Sequence, residues 1–505
     1  MVISLVTLFF LSTCALAVIN YPVIPDDVST PVQQRIAIKA PNSISIGWNT
    51  YQPLEDACVS YGLSPAALTS RECSFAKSKT YPTSRTHFNV VVLSDLKPTT
   101  TYYYRIDSSN STTEKFVSPR RPGDHAPFTF NAVIDLGVYG TDGFTIEQGS
   151  SEHKKRTELA QVDPSLNHTT IARLAATLPS YELIIHPGDF GYADDWFLKP
   201  KNLIHGTDAY AAILENFYNQ LSPISSTIPY MASPGNHEAT CGEIPALSRL
   251  CPAGQRNFTD FLTRYGDTMP TVFPSQSSSA TARALAEKAH KLALPPFWYS
   301  FEYGSMHVVM LDTETDFPNA PDQPGGSAFL NGGPFGKTFD QQLAFLEADL
   351  ASVDRHVTPW LIVAGHRPWY TTSTSARCAP CQAAFEPLLY RYGVDLAIFG
   401  HNHNSQRFNP IYDGVPDPNG LKDPKAPLYI VAGGAGSIEG LAKLENPWGS
   451  YKWGYDEDFA FAAIDVKDKK RLGVRFVRSR SGEVLDRVEL VKKHKDKFVR
   501  QELPV

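Results

Sequence analysis

The sequence predicts an all-β domain followed by an α/β domain. Strand-like segments with alternating apolar and polar residues fill residues 25–120. From residue 128 onward, short apolar strands alternate with helical segments, which is typical of an α/β core covered on its faces. The length of 505 residues agrees with two domains, because a single hydrophobic core rarely exceeds roughly 250–300 residues.

The composition is that of a globular protein. Hydrophobic residues make up 42% of the chain and charged residues 19%, which excludes intrinsic disorder and collagen-like or coiled-coil arrays. The formal net charge of −6 argues against binding to a nucleic-acid backbone, which requires clustered positive charge. We therefore expect no nucleic-acid partner.

Residues 1–17 form an apolar run that ends in small residues, with Ala15 and Ala17 in an A-x-A pattern. This pattern predicts a secretory signal peptide. The alternative is a membrane anchor, but the run is shorter than the roughly 20 residues that a bilayer requires, and no other segment is long enough. We therefore expect a secreted protein, extracellular or in a cell wall, without a membrane partner.

The cysteines and sequons agree with secretion. Removal of the signal takes Cys14 from the seven cysteines and leaves an even number, which suits disulfides in an oxidising compartment. Pairing of nearest neighbours predicts Cys58–Cys73, Cys241–Cys251 and Cys378–Cys381. The last spacing is also that of a redox or zinc motif, but no second such pair completes a zinc site. Candidate N-glycan sites begin at Asn110, Asn167 and Asn257.

The first domain, residues 25–120, is predicted from two segments. IAIKAPNSISIGWNT alternates around Trp48, and HFNVVVLSDLKPTTTYYYRIDSS adds two strands separated by a Pro-Thr turn. Trp48 together with Tyr103 and Tyr104 resembles the pattern of a fibronectin type III module, which is a β-sandwich. Residues 119–127 are the predicted linker.

The second domain, residues 128–495, alternates strands and helices. The predicted strands are FTFNAVID, YELIIHPGD, IPYMASPGN, SMHVVMLDT, WLIVAGH, VDLAIFGH and PLYIVAGG. The predicted helices are 169–178, 208–221 and 340–354; the last carries Leu343, Leu346, Leu350 and Val353 at amphipathic spacing. The Ser/Ala-rich residues 272–284 and the Pro/Gly-rich residues 317–336 break this rhythm and are predicted to be surface loops.

Polar side chains of metal-binding types follow five of these strands. They are Asp135, Asp189 with Tyr192, Asn236 with His237, His366, and His401 with His403. Because ligands bind outside the carboxyl ends of the strands in open α/β sheets, we expect these side chains to converge. Neighbouring glycines permit tight turns or a close backbone approach; they are Gly137, Gly188, Gly235, Gly365 and Gly400.

This set is larger than one metal ion needs. The Asp189 carboxylate can bridge two cations. His401 and His403 fall on the same side of an extended chain, so one turn can serve both ions. Oxygen and imidazole ligands without a thiolate suit Zn, Fe or Mn rather than Ca. Two ions about 3.5–4 Å apart clamp the attacking and leaving oxygens of a phosphoryl displacement.

The motifs stand in the order DLG (135–137), GDFGY (188–192), GNHE (235–238), VAGH (363–366) and GHNH (400–403). This order resembles the metallophosphoesterase superfamily, and more closely the purple acid phosphatases, whose pattern is DxG, GDxxY, GNH[DE], VxxH, GHxH. The resemblance spans residue 128 to about residue 480. It implies a four-layer αββα sandwich, and the β domain fits the larger secreted members. Tyr192 is the discriminating residue, because related di-metal esterases generally lack it.

The resemblance implies a binuclear centre of Fe(III) and a divalent Zn, Fe or Mn ion. Asp135, Tyr192 as a phenolate and His403 would hold Fe(III); Asn236, His366 and His401 would hold the divalent ion; Asp189 would bridge. His237 would face substrate as phosphate binder or proton donor, and it is the candidate general acid. A trivalent ion should lower the pKa of water below the value of about 7 reached on Zn²⁺, which favours attack by a metal-bound hydroxide at acid pH.

The implied function is a secreted acid phosphatase that acts on small phosphate monoesters, with phytate as one candidate. Plant members carry histidines after VxxH that contact substrate, whereas residues 366–381 here have none after His366, leaving Arg367 and Tyr370 as polar candidates. Arg367 could bind phosphate or pair with a carboxylate. One alternative is a di-zinc phosphodiesterase or nucleotide pyrophosphatase on the same fold, against which Tyr192 argues. The other is a non-catalytic binding protein, which would predict gaps in the ligand set.

Overall fold

The computed structural model describes residues 21–74, 76–139, 169–198, 202, 207–239, 250–271, 273–322, 340–445 and 450–504. The strands of the first domain are β1 (Val32–Ala40), β2 (Ser43–Thr50), β3 (Ala57–Gly62), β4 (Ser70–Ser74), β5 (His87–Leu93), β6 (Thr101–Ile106) and β7 (Glu114–Val117). The signal peptide predicted for residues 1–17, Cys241 and the sequon asparagine Asn167 lie outside the described residues.

These strands form a β-sandwich. One sheet has the order β1-β2-β5 and the other the order β4-β3-β6-β7, with antiparallel pairing throughout. Trp48 on β2 and Tyr104 on β6 are buried, while Tyr103 is only partly buried, as the alternation of side chains along a strand requires. Cys58 and Cys73 pair across β3 and β4 and form the predicted disulfide. The predicted all-β domain is therefore confirmed.

The second domain contains two larger sheets. Its strands are β8 (Phe128–Ala132), β9 (Leu136–Gly137), β10 (Ile184–Pro187), β11 (Phe190–Gly191), β12 (Tyr230–Ser233), β13 (Tyr299–Tyr303), β14 (Met306–Met310), β15 (Trp360–Ala364), β16 (Leu396–Phe399), β17 (Ser405–Tyr412), β18 (Val415–Pro416), β19 (Leu428–Ala432), β20 (Tyr451–Tyr455), β21 (Ala460–Val466), β22 (Arg471–Arg478) and β23 (Val484–Val491). The first sheet has the order β12-β10-β8-β21-β22-β23; the second has the order β13-β14-β15-β16-β19-β17-β18, with β20 beside β17.

Parallel pairing decides where the strand ends lie. In the first sheet β8, β10 and β12 run parallel, and in the second β14, β15, β16 and β19 run parallel. Side chains from both sheets belong to one continuous hydrophobic core. The seven strands predicted from apolar runs are all present, because strands buried on both faces are apolar throughout.

Helices accompany both sheets. They are α1 (Thr170–Ala176), α2 (Asp208–Ser225), α3 (Asn236–Ala239), α4 (Thr259–Tyr265), α5 (Ala280–Leu292), α6 (Gln341–Ser352) and α7 (Ala379–Arg391). Helix α1 packs on α2, and α6 packs on both α5 and α7. The helices predicted at 169–178, 208–221 and 340–354 correspond to α1, α2 and α6. Together with the two sheets they confirm the predicted α/β class.

One predicted loop is wrong. Residues 272–284 were expected to be irregular, but α5 begins at Ala280, with the Ser279 hydroxyl accepting a hydrogen bond from the amide of Ala282. A serine at this position satisfies an amide that the first turn leaves without a partner, so its presence starts the helix. Of the second predicted loop, 317–336, only residues 317–322 are described.

No helix in the described part of the chain combines the length and the hydropathy needed to span a lipid bilayer.

Candidate metal centre

The polar residues at the strand ends meet where the two sheets face each other, in two groups that share one carboxylate. Ligand atoms of Asp189, His366 and His401 lie within 4.8 Å of one another, and so do those of Asp135, Asp189 and His403. His366 Nε2 is 3.0 Å from Asp189 Oδ2. All five side chains are largely excluded from solvent. Asp189 therefore stands between two potential cation sites.

Asn236 and Tyr192 extend these groups. Asn236 Oδ1 is 2.8 Å from His366 Nε2, which places it with the first group. Tyr192 Oη is 2.8 Å from His403 Nε2 and 3.0 Å from Asp135 Oδ1, which places it with the second group. The structure thus brings together all seven side chains predicted to hold metal.

The backbone at the centre is bent sharply. Asp135, Asp189, Tyr192 and His401 all adopt positive φ angles, between 53° and 65°. Residues other than glycine rarely adopt such angles, and where they do the surrounding structure enforces them, most often at functional sites. His401 is therefore not extended, and it reaches a different group from His403 through a turn rather than through a shared strand face.

Parallel pairing of β9 with β11 brings the DLG and GDFGY motifs side by side. Behind them, Gly188 has a φ of +100°, and a Cβ atom built there would lie 2.6 Å from both the Gly235 Cα atom and the His366 Nδ1 atom. No side chain fits at this distance, so the Gly188 position requires glycine for both its angle and its space.

Two of the histidines are oriented from behind. His366 Nδ1 lies 3.1 Å from the carbonyl oxygen of Pro187, and His403 Nδ1 lies 3.2 Å from that of Gly440. A carbonyl oxygen only accepts hydrogen bonds, so each Nδ1 carries the proton and each Nε2 presents a lone pair toward the centre. This tautomer is the one that a metal ligand needs.

The electrostatics of the centre favour cations. Burial holds the pKa of Asp135 well above its ordinary value, and Asp189 beside it acts in the same direction. Burial also acts to raise the pKa of Asp189, but the neighbouring His366 and His237 outweigh it and hold that pKa well below its ordinary value. Two buried carboxylates that face each other need positive charge between them, so the donor set fits two metal ions.

Tyr192 is a neutral phenol in the absence of such charge. Burial, followed by the charges of Asp135 and Asp189, raises the pKa of Tyr192 well above its ordinary value. A phenolate ligand at this position therefore requires an ion that attracts it more strongly than the two carboxylates repel it.

His237 lies beside the two groups. Its Nδ1 atom is 2.8 Å from Asp194 Oδ1, and its Nε2 atom is 3.8 Å from Asp189 Oδ2. Its imidazole packs against the Tyr192 ring at a centroid distance of 4.3 Å. Since the Asp194 carboxylate accepts a hydrogen bond from Nδ1–H, Nε2 is the nitrogen directed toward the centre.

The two predicted substrate residues are placed differently. The Arg367 guanidinium pairs with Glu314 at 2.8 Å and lies 3.0 Å from His401 Nε2, so it pairs with a carboxylate and also reaches the centre. Tyr370 is buried, and its hydroxyl donates to Glu386 at 2.5 Å while its ring packs on Tyr429. These contacts give Tyr370 a packing role, and its contact with substrate stays a prediction.

Sequence models of protein families match successive parts of the chain. The purple acid phosphatase N-terminal domain matches residues 31–120, calcineurin-like phosphoesterase matches residues 165–405, and iron/zinc purple acid phosphatase-like protein C matches residues 426–487. Acid phosphatase A of Cryphonectria parasitica is 56% identical over 494 residues, which cover 97% of each chain. The chain belongs to the purple acid phosphatase family. The predicted family is therefore confirmed, and the chain is an enzyme of that family.

More distant members of the family extend the comparison. Purple acid phosphatase 21 of Arabidopsis thaliana is 26% identical over 450 residues, covering 87% of this chain and 80% of that protein. The structure of a purple acid phosphatase isolated from yellow lupin (Lupinus luteus) seeds matches with a TM-score of 0.64 and 23% identity, covering 92% of this chain and 75% of that one. At this identity the likeness shows the fold alone.

The family depends on two metal ions, and each of the two groups around Asp189 could hold one of them. Sequence reasoning missed two residues that support them. Asp194 orients His237, and its signal was its position two residues after Tyr192 in GDFGYADD. Glu238, the last residue of GNHE, accepts hydrogen bonds from the amides of Asp189, Phe190 and Gly235, each at 2.9 Å. A buried carboxylate thereby joins the loops after β10 and β12.

Proposed function

We propose that this purple acid phosphatase hydrolyses phosphate monoesters at acid pH with a binuclear Fe(III)–M(II) centre, where M is Zn, Fe or Mn. Asp135, Tyr192 and His403 would hold Fe(III), Asn236, His366 and His401 would hold the divalent ion, and Asp189 would bridge. The observation that carries the proposal is the sharing of Asp189 between two donor groups, only one of which includes a phenol. When bound, the ions supply an activated water nucleophile and neutralise charge on the phosphoryl oxygens.

His237 is the proposed general acid. Its Nδ1–H is held by Asp194, so the Nε2 atom is available to bind a phosphoryl oxygen or to give a proton to the leaving alcohol oxygen. The Asp194 carboxylate also stabilises the protonated imidazolium, which is the form that can donate from Nε2. His237 is buried and Asp194 is half-buried at the edge of the centre.

Arg367 is the proposed phosphate-binding residue. Glu314 holds its Nε atom through both carboxylate oxygens, each at 2.8 Å, which fixes the plane of the guanidinium. Its Nη1 atom lies 3.0 Å from His401 Nε2, so its remaining N–H groups are near the ions' ligands. A planar guanidinium suits the geometry of a phosphoryl group.

Secretion is part of the proposal, with cleavage of the signal peptide after Ala17 and two domains at residues 25–120 and 128–495. The disulfides Cys58–Cys73 and Cys378–Cys381 support an oxidising compartment. Asn110 and Asn257 are exposed, which suits their proposed N-glycosylation. We include phytate among the proposed substrates because such an enzyme would release phosphate from external esters.

The test compares a monoester with a diester on the purified protein. Hydrolysis of p-nitrophenyl phosphate at acid pH should exceed that of bis(p-nitrophenyl) phosphate at least tenfold. Asp189→Ala should remove both activities and at least one equivalent of metal. A preference for the diester, together with two equivalents of zinc and no visible colour, would instead support the di-zinc phosphodiesterase.

A further inference from the structure

A cleft of about 640 Å³ lies on the side of the second domain away from the metal centre, beneath residues 492–502. Arg355, which lines the cleft, and its ion-pair partner Asp395 precede β15 and β16, whereas His366 and His401 of the candidate metal centre follow these strands. A strand rises about 3.3 Å per residue, so the cleft and the centre are on the order of 15 Å apart.

The segment 492–502 is pinned above the cleft by hydrogen bonds at several points. The Lys493 amide donates to Asp423 Oδ1 at 3.0 Å, the Arg355 amide donates to the Lys497 carbonyl oxygen at 2.8 Å, and the Gln501 amide donates to the Arg391 carbonyl oxygen at 2.6 Å. Because these contacts recur along the segment, the cleft is a built feature of the fold.

The lining of the cleft is positively charged although the whole chain has a net charge of −6. Its acidic lining residues are Asp423, Asp496 and Glu502, and its basic lining residues are Arg355, Lys425, Lys492, Lys493, Lys495 and Arg500. Lys493 pairs with Asp423, and Lys492 pairs with Asp395 below the cleft. Among the described residues Lys425, Lys495 and Arg500 form no ion pair, and neither do Asp496 and Glu502, so the unpaired lining groups carry one positive charge in excess.

The floor carries a second and independent signal. Arg355 is 3% exposed, and only its Nη2 atom is used, by Asp395 at 2.5 Å and by the Gly393 carbonyl oxygen at 3.2 Å. The Nε and Nη1 atoms of Arg355 and the Nε2 atom of His494 are buried with no hydrogen-bond partner in the described residues. The Nε and Nη1 atoms of Arg355 always carry protons, unsatisfied buried N–H groups are costly, and an anion drawn to the floor would supply an acceptor for them.

We propose that this cleft binds a small organic anion that carries several phosphate groups, at a site separate from the metal centre. The volume lies within the range of roughly 300–1,000 Å³ typical of small-molecule sites and is far larger than one orthophosphate needs. The rim cation Lys425 lies in the loop before β19, and Lys495 and Arg500 lie in the segment 492–502. Because these cations are separated from one another, each can meet a different phosphate group of one molecule. The site does not depend on the proposed hydrolytic function.

The test uses inositol hexasulfate, a polyanion whose sulfate esters replace phosphate esters, with the holoenzyme at low ionic strength. Orthovanadate first occupies the metal centre, and calorimetry then measures binding. One molecule should bind to the wild type, and its affinity should fall as salt screens the charges. The double variant Lys495→Glu, Arg500→Glu should bind at least tenfold more weakly, and kcat and KM for p-nitrophenyl phosphate should stay unchanged.

The matched control changes two exposed lysines elsewhere, Lys115→Glu in the first domain and Lys288→Glu on α5, and should bind as the wild type does. Equal weakening in this control would show general charge attraction and overturn the proposal, as would absence of binding once vanadate is present. Competition by orthophosphate distinguishes a site for the free phosphate ion from a site for an organic molecule that carries several phosphate groups. If orthophosphate displaced the hexasulfate at equal concentration, the site would be one for the free ion and the proposed ligand class would be wrong.

Discussion

Tyr192 is the residue that separates this centre from a di-metal site built only of carboxylates, amides and imidazoles. Its hydroxyl contacts Asp135, Asp189 and His403, all of the second donor group. Because burial and the two carboxylates raise its pKa, the phenol loses its proton only to a strongly attracting ion. The proposed ferric ion bound to this phenolate would give a visible charge-transfer absorption, by which the ionisation of Tyr192 could be observed directly.

We predict that Tyr192→Phe abolishes the visible absorption of the purified enzyme while the protein stays folded. The substitution removes one oxygen and keeps the buried ring. Absorption spectroscopy and metal analysis provide the measurement, with Tyr181→Phe as a control because Tyr181 is also buried but donates to the Leu174 carbonyl oxygen instead. A variant that keeps its colour would show that Tyr192 is not the ligand.

We predict that His237→Ala retains its metals and colour but loses roughly 10²–10⁴-fold in kcat for monoesters with poor leaving groups, since these need a proton on the leaving oxygen. For p-nitrophenyl phosphate, whose leaving group is stable as an anion, the loss should be smaller. Loss of both metals in this variant would contradict the role.

Asp194 acts through His237 and is a positioning residue. We predict that Asp194→Asn shifts the alkaline limb of the plot of kcat against pH to lower pH. The reason is that a neutral amide no longer stabilises the protonated His237 side chain. Metal content and KM should change little. An unchanged pH profile would reduce Asp194 to a structural contact.

At the scale of the elements, the loops after β8, β10 and β12 hold the centre in place. We predict that Gly188→Ala lowers metal occupancy and thermal stability, because its new Cβ would stand 2.6 Å from backbone and from His366. Gly414→Ala is the matched control: it also has a positive φ, of +75°, but no atom lies within 4 Å of the added Cβ. The control should therefore show only the conformational cost of about 1–2 kcal/mol. Equal effects in both variants would mean that close packing at Gly188 is unimportant.

Strand β14 and helix α6 are joined by a buried ion pair. His307 Nε2 lies 2.8 Å from Asp349 Oδ2, and Glu302 on β13 lies 3.6 Å from Nδ1. His290 on α5 is also nearby, and burial lowers the pKa of its imidazole below the ordinary value. Burial acts to lower the pKa of His307, but Asp349 and Glu302 raise it to about 10. Since the folded pKa exceeds the ordinary value of 6.5, the stabilisation is complete below pH 6.5 and is lost as pH rises toward 10.

We therefore predict that the free energy of unfolding falls between pH 6.5 and pH 10, by up to about 1.4 kcal/mol per pH unit from this group. Asp349→Asn should flatten that slope because it removes the carboxylate that attracts the His307 imidazolium most strongly. Denaturant unfolding of both proteins at several pH values measures how the free energy of unfolding depends on pH. An equally steep slope in the variant would assign the effect to other groups.

Element prediction succeeded for the uninterrupted apolar runs of the second domain and missed several of its other strands, among them the buried β13. The runs around β8, β10 and β15 are apolar without interruption, and they stand where the sequence indicates. The antiparallel strands β17 and β20–β23 were not predicted. Exposure explains this for β20 and for β23 (VLDRVELV), which mixes charges into a short alternation, whereas β17 and β21 are mostly buried. The bend at His401 could not be predicted either, since nothing in GHNH fixes a φ of 65°.

At the scale of the whole molecule, both sheets contribute to one centre, so metal and fold depend on each other. We predict that removal of metal by a chelator lowers the melting temperature by several degrees, because ions that bind only the folded chain stabilise it and the buried Asp135 and Asp189 then lose their counter-charge. Reloading with iron and zinc should restore it. An unchanged melting temperature after verified metal removal would contradict the coupling.

The convergence of the seven side chains could be predicted from one rule, that ligands gather at carboxyl ends of parallel strands. The supporting residues could not. Glu238 supports the centre because its carboxylate accepts hydrogen bonds from three amides of two separate loops. Arg367 is held in place because Glu314 forms an ion pair with it. Such contacts join positions far apart in the chain, and no local spacing encodes them.

The two sheets differ in what they bring to the centre. The loops of the β8–β10–β12 sheet supply only oxygen atoms, from Asp135, Asp189, Tyr192 and Asn236, whereas the β15–β16 sheet supplies only the imidazole nitrogens of His366, His401 and His403. During synthesis on the ribosome the oxygen half is made first, and by itself it suits Mg²⁺ or Ca²⁺. A donor set of both kinds therefore exists only after residues 366–403 have been made and packed against the earlier strands.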